Sequence, residues 1–189
     1  MKKTGEETSL HEEKIKTSNK KPPPKQQPLW KGYVSLLIRA GVFIAILAVL
    51  FTQVLFLKRV SGTEMFPSLK DGDLALGFRL ESSYCSGDVV LYEADGSMHF
   101  GRILTLGGNT VNISGNGSVE VNGITESGEE VLFSTDDPGS LTYPYEVPED
   151  SVFILGDYRT EKDDSRIYGA IPIHDIKGKV LTILRRRGL

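Results

Sequence analysis

Three short stretches carry the residue types that could do chemistry: Ser61-Gly-Thr-Glu-Met-Phe-Pro-Ser-Leu69, His99-Phe-Gly-Arg102 and Gly156-Asp-Tyr-Arg-Thr-Glu-Lys-Asp-Asp-Ser-Arg166. Two reactions are open to them on residue type. Thr63 could attack a carbonyl with His99 as its base, since a hydroxyl needs a proton acceptor to become a nucleophile. Glu64 could instead activate a water, but a single carboxylate next to Lys162 lacks the second carboxylate or metal that usually completes such a site. Cys85 is the single cysteine, so neither an internal disulfide nor a CxxC zinc or redox site can form. A lone cysteine is expected as a small buried hydrophobe. No phosphate-binding loop, dinucleotide fingerprint or nucleic-acid module is visible, and no nucleic-acid partner or cofactor is expected.

These stretches must be positioned by the elements around them. From Met1 to Gly32 the chain holds eight Lys and four Glu, with the run Lys21-Pro22-Pro23-Pro24-Lys25 and few apolar residues. Such a segment cannot bury enough surface to offset its ordering entropy, so residues 1–32 are expected to form a disordered basic tail. Val34 to Leu57 is 24 residues with one charge, Arg39. At ~1.5 Å per residue that is about 36 Å, enough to cross a membrane, so residues 33–58 are expected to be a transmembrane signal anchor. Arg39 can snorkel to the headgroups from its place near the start. Six Lys flank the N-terminal side against Lys58, Arg59 and Lys70 on the other, which puts the N-terminus in the cytoplasm and residues 59–189 outside it.

Beyond Val60 the pattern changes to short β-branched and aromatic runs: Asp88–Tyr92, Arg102–Leu106, Ser118–Val121, Val131–Phe133, Val152–Leu155 and Lys179–Ile183. Turn dipeptides such as Gly72-Asp73, Gly107-Gly108 and Asn122-Gly123 separate them. The expected fold is mainly β, a curled, barrel-like antiparallel sheet. The terminal run Arg185-Arg186-Arg187 is expected to be a solvated end.

The three stretches, in this order, resemble the signature boxes of type I signal peptidases. Gly62, Met65, Pro67, Leu69, Gly72 and Asp73 match the first box. Gly87-Asp88 and the segment through Arg102 to Val111 match the second, and Gly156, Asp157, Arg159, Asp164, Ser165 and Arg166 match the third. The resemblance implies a membrane-anchored outer domain that cuts exported preproteins with a Ser/Lys dyad. It places the nucleophile at Glu64 and the general base at Gly101. Neither residue can do that job, because an ionised carboxylate is no substitute for the hydroxyl and glycine has no side chain. In the position of the dyad's supporting Ser stands Lys162, and an ion pair between Glu64 and Lys162 is expected to occupy the old dyad space. Asp164, Arg166 and Asp157 fit a structural brace better than catalysis.

The resemblance thus implies a non-catalytic relative, a pseudoenzyme that binds extended segments of exported proteins. Family members associated with Gram-positive pilus gene clusters have lost the dyad and assist pilin polymerisation with a sortase. Exported or pilin-like proteins, a sortase and the membrane are the partners this implies. The alternative is an active peptidase with displaced catalytic groups.

Overall fold

The computed structural model describes residues 29–126 and 133–185. The expected disordered tail falls mostly on residues 1–28 and the expected strand at Val131–Phe133 mostly on residues 127–132, outside the described residues. The chain divides into two compact units, Met1–Ile44 and Ala45–Leu189.

Helix α1 (Leu29–Val49) continues into a π-helical turn, Leu50–Val54. Gly32–Val54 is the one segment among the described residues that is helical, long and apolar enough to cross a membrane. Its large side chains, among them Leu36, Leu37, Phe43 and Ile44, are exposed, which in water would waste their transfer free energy. Helix ends at Val54, short of the expected Lys58. The next five residues instead form β1 (Leu55–Arg59), because each has a backbone partner in β2 (Leu74–Phe78), from Leu55↔Phe78 to Arg59↔Leu74.

A seven-stranded antiparallel sheet runs in the order β1, β2, β11 (Ile176–Leu184), β3 (Val89–Ala94), β4 (Ser97–Leu106), β9 (Ser151–Leu155) and β10 (Ile171–Pro172). A second sheet orders β7 (Ile124–Thr125), β6 (Val119–Val121), β5 (Thr110–Ile113) and β8 (Tyr145–Glu146). Asp95-Gly96 joins β3 to β4 with both residues at positive φ, 47° and 71°, as a two-residue hairpin turn that follows the strand twist requires.

Alternation along the central strands divides the core. Val90, Tyr92, Ile103, Val152 and Ile154 pack on one side, while Phe56, Val60, Met65, Leu69, Leu91 and Phe100 pack together on another. Phe153 and Leu155, the alternate residues of β9, join Leu104, Val111, Ile113 and Val119 beneath the small sheet. A register shift between Ile103 and Thr105 against β9 changes the phase of the alternation, so that Ile103 and Leu106, three residues apart, pack on the same cluster.

All three motif stretches hang on this sheet. The first forms the β1–β2 connection, closed at its base by Val60 N–H to Asp73 O (2.8 Å) and Gly72 N–H to Val60 O (3.0 Å). The second is β4 itself, and the third follows β9. Cys85, expected to be buried, is exposed, because the Ser82–Gly87 segment runs outside the strands and the backbone N–H of Cys85 donates to Asp88 Oδ2 (3.0 Å).

Arg185 is exposed, as expected of a chain end, but it is also tied down, and Arg186 and Arg187 lie outside the described residues. Arg185 Nη2 donates to Asp73 Oδ2 (2.8 Å) and to Ser68 O (3.1 Å), tying the end of β11 to the first motif. The Arg185 guanidinium holds the buried Asp73 carboxyl below the usual carboxylate range. A carboxylate depressed on folding contributes stability above its unfolded pKa and loses it as pH falls through the folded value. Arg185→Gln is therefore expected to lower the Tm of the detergent-solubilised chain at pH 7. That difference should shrink as the pH falls below the ordinary carboxylate range of about 4 and on through the lower pH at which folded Asp73 takes up its proton. A Tm gap that stays constant down to pH 2.5 would show that the pair is not its source.

Candidate functional site

The third motif is built around a buried charge. Arg166 is fully buried at 0% exposure, so every donor of its guanidinium needs an acceptor. Asp164 takes Arg166 Nε (2.9 Å) and Nη2 (2.8 Å) on its two oxygens. Nη1 donates to Arg159 O (2.7 Å) and Asp136 O (3.1 Å), and Nη2 reaches Glu161 O as well. The same Asp164 caps the short helix α2 (Ser165–Tyr168) and accepts the Gly156 N–H (3.0 Å). Ser165 Oγ accepts the Ile154 N–H (2.9 Å), so the loop is bonded to β9 itself. Asp164, Ser165 and Arg166 thereby fix the path of residues 156–166.

A second guanidinium joins all three motifs. Arg102 on β4 makes a two-pronged bond to buried Asp157 (2.8 Å on each prong), and also donates to Gly87 O (2.9 Å) and Ser68 Oγ (3.2 Å). Charge-assisted, two-pronged bonds of this kind set geometry as well as energy. Arg159, also buried, pairs with Glu126 (2.8 Å) and Thr135 Oγ1 (3.0 Å). Its Nε is buried without a partner among the described residues.

Glu64 and Gly101 are brought to the same region. Met65 points into the core at 1% exposure, and Pro67 follows, half-buried, in the same turn. Glu64 O accepts the Tyr158 N–H (2.9 Å), stitching the first motif to the third. That approach requires Gly156, where a Cβ would fall 2.7 Å from Glu64 O. The Glu64 carboxylate folds back over Gly62, whose added Cβ would meet Oε2 at 2.5 Å. Thr63 Oγ1 lies 3.4 Å from Glu161 Oε1.

The expected Glu64 to Lys162 ion pair is not what the structure shows. Lys162 Nζ instead stands 3.9 Å from Asp136 Oδ2, with 38% of its side chain exposed. Arg166 is the physical reason, since it grips the backbone carbonyls of both Glu161 and Asp136 and so sets Lys162 beside Asp136.

The space of a side chain at position 101 is filled. A Cβ built on Gly101 would fall 2.3 Å from Ile154 Cγ2 and 3.1 Å from Tyr92 Cε1. Tyr92 is fully buried, its hydroxyl bonded to Asp163 O (3.3 Å). Desolvation, with the carboxylates of Asp164 and Glu64 among the nearby charges, pushes its phenol pKa far up, so it stays neutral. His99 packs between Tyr92 and Tyr168 at ring-centroid distances of 5.7 and 5.6 Å, and its buried Nε2 has no partner among the described residues. That is a packing position between two tyrosine rings. Tyr92 and Ile154 were not singled out from the sequence, where each reads as an ordinary strand residue. Two open cavities, of about 470 and 640 Å³, share Arg102 and Gly87 in their linings, and neither is lined by Glu64 or Gly101. Among the described residues no group of three or more His, Cys, Asp or Glu is placed to hold a metal ion.

A methyl group at position 101 should therefore be costly, although Ala in a strand normally outperforms Gly. Gly101→Ala is expected to destabilise by about 1–3 kcal/mol through overpacking, and Ile154→Ala by about 2–5 kcal/mol through cavity formation. The double variant should lose clearly less than the sum, because the new methyl occupies part of the cavity. Denaturant titration of all four forms checks this, and strictly additive losses would show that Ile154 does not exclude a side chain at 101.

Comparison with known proteins supplies the family. The model of signal peptidase, peptidase S26, matches residues 33–184. Over 139 residues, 65% of this chain, the sequence is 27% identical to thylakoidal processing peptidase 1 (chloroplastic) of Arabidopsis thaliana, and the match spans 39% of that protein's length. It is 25% identical over 138 residues to probable signal peptidase I-1 of Synechocystis sp., covering 66% of this chain and 68% of the relative. A solved signal peptidase I from Enterococcus faecalis is 26% identical with a TM-score of 0.43, over 53% of this chain and 98% of that one. The family match takes in the apolar helix and all three motif stretches, and on that evidence the chain belongs to the signal peptidase, peptidase S26, family.

Proposed function

We propose that this family member is non-catalytic and uses its outer domain to bind extended segments of exported proteins, with the N-terminus in the cytoplasm and β1–β11 outside. The observation that carries the reading is Gly101. Loss of a base by substitution alone would leave a vacant space, whereas here Ile154 and Tyr92 occupy it. Glu64 supplies no hydroxyl, and the carboxylate lies over Gly62.

Peptide binding itself needs no dyad. Strand addition uses backbone groups on an open sheet edge, with side-chain pockets for selectivity. In β4, pairing with β9 begins at Arg102↔Leu155, whereas pairing with β3 extends from Ala94↔Ser97 onward. Residues 97–101 thus have a strand neighbour on one side. The stretch beside them carries Glu64, so an extended segment would lie where a substrate lies in a cutting relative. Pilus-associated family members that lack the dyad supply the most specific version of this role, an assembly factor or chaperone for pilin polymerisation working with a sortase.

The test is preprotein cleavage by the full chain in detergent micelles. The unmodified chain is expected to leave the preprotein uncut, at the no-enzyme background. Glu64→Ser/Gly101→Lys/Lys162→Ser should stay inactive, because a lysine at 101 meets Ile154 and Tyr92. Adding Ile154→Ala and Tyr92→Ala removes that obstruction and is the form in which activity can return. Cleavage by the unmodified chain would overturn the reading. Co-purification of a surface pilin or a sortase with the full chain from membranes tests the assembly role, and recovery of neither would overturn it.

A further inference from the structure

One surface next to Glu64 is neither buried nor accounted for by strand addition. Phe66 and Phe133 are each 39% exposed, and the ring of Tyr158 stands between them. The Phe66–Tyr158 centroids are 6.3 Å apart at 89°, and the Phe133–Tyr158 centroids 5.0 Å apart at 85°. Edge-to-face packing leaves ring faces, the electron-rich side, available to a cation. One face is already used this way, with Lys70 Nζ 5.8 Å from the Phe66 centroid.

The charge around these rings has one dominant sign. Glu161, Asp163, Asp136 and Asp137 are exposed and Glu64 is half-buried. Contacts place three of them on the adjoining stretches: Thr63 Oγ1 reaches Glu161 (3.4 Å), Tyr158 N–H reaches Glu64 O (2.9 Å), and Lys162 reaches Asp136 (3.9 Å). Lys162 and Lys70 offset only part of this. The cations below do not compensate either, because Arg166 is paired with Asp164 and Arg159 with Glu126. Acidic residues alone would make a solvated face. Exposed aromatic rings among them make a surface that is unfavourable in water and complementary to an alkyl stem ending in a positive charge.

We infer that the segment between β9 and α2, with Phe66 and Phe133 on its flanks, docks a lysine or arginine side chain of the extended polypeptide. The alkyl stem lies along the rings and the charged head faces Glu161, Asp163 and Glu64. This rests on the peptide-binding reading and adds its selectivity. A phosphate-bearing occupant, whether lipid or nucleic acid, is opposed by the same carboxylates.

The experiment uses the full chain in uncharged maltoside micelles and three fluorescein-labelled peptides of alternating Ala and Val, with two central residues that are Lys, Gln or Glu. Fluorescence anisotropy at about 50 mM salt is expected to show the Lys peptide binding roughly ten-fold tighter than the Gln peptide, and the Glu peptide weakest. The Lys advantage should narrow at 0.5 M salt, where exposed charges are screened. It should also fall towards one in Phe133→Ala/Glu161→Gln/Asp163→Asn, all surface positions. Equal binding of Lys and Gln peptides would overturn this inference and leave the peptide-binding reading standing. Binding of none of the three overturns both, and an undiminished Lys advantage in the triple variant places the basic side chain elsewhere and overturns the inference.

Discussion

The buried Arg166 guanidinium is the constraint on which the site depends. A positive charge at 0% exposure is tolerable only if fully paired, and its needs determine the path of the chain on both sides. Asp164 supplies two acceptor oxygens, and the carbonyls of Arg159, Glu161 and Asp136 supply more. Those contacts pin the segment from Asp157 to Asp164 to β9 and to the stretch around Asp136. Tyr158 can then reach Glu64 O, and Lys162 is committed to Asp136. A surface ion pair would be too weak to impose such a path. A buried pair does so because the alternative is an unpaired charge in the protein interior.

One frame also holds the three motif stretches together. Arg102 bonds Ser68, Gly87 and Asp157 across all three motifs, and Met65 and Leu69 pack in the core. These contacts hold a strand edge and a loop in register, which serves binding of an extended chain as well as cutting it. At position 101, Ile154 and Tyr92 come close to a backbone without a side chain. That packing is what supports the non-catalytic reading proposed above.

Much of this was legible in the sequence, and the failures have physical causes. Alternating apolar runs and turn dipeptides located strands such as Val152–Leu155 and turns such as Asn122-Gly123 because local chemistry decides them. Leu55–Lys58 was assigned to the membrane helix because an apolar run does not reveal that β2 will pair with it. Arg185 looked solvated because its partner Asp73 lies 112 positions earlier in the chain. The Glu64 to Lys162 pair failed for a related reason. Matching motifs place two segments near each other, but the direction of a long side chain is set by competitors, here Asp136, that the motif alignment omits.

Charge placement separates the interior of this site from its surface. Arg102, Arg159 and Arg166 each have a carboxylate partner that is buried or mostly so, at 2.8 Å. Arginine suits that task because its planar fork matches a carboxylate on two prongs and it stays charged. Towards solvent the balance reverses, with Glu161, Asp163, Asp136 and Asp137 exposed on the two stretches that Arg166 joins. Neutralising them with further arginines would cost the rigid core nothing, since none of these side chains is needed to satisfy a buried cation. The surplus of surface carboxylate is therefore not a by-product of the brace beneath it, and the proposed docking of a basic side chain rests on that separation.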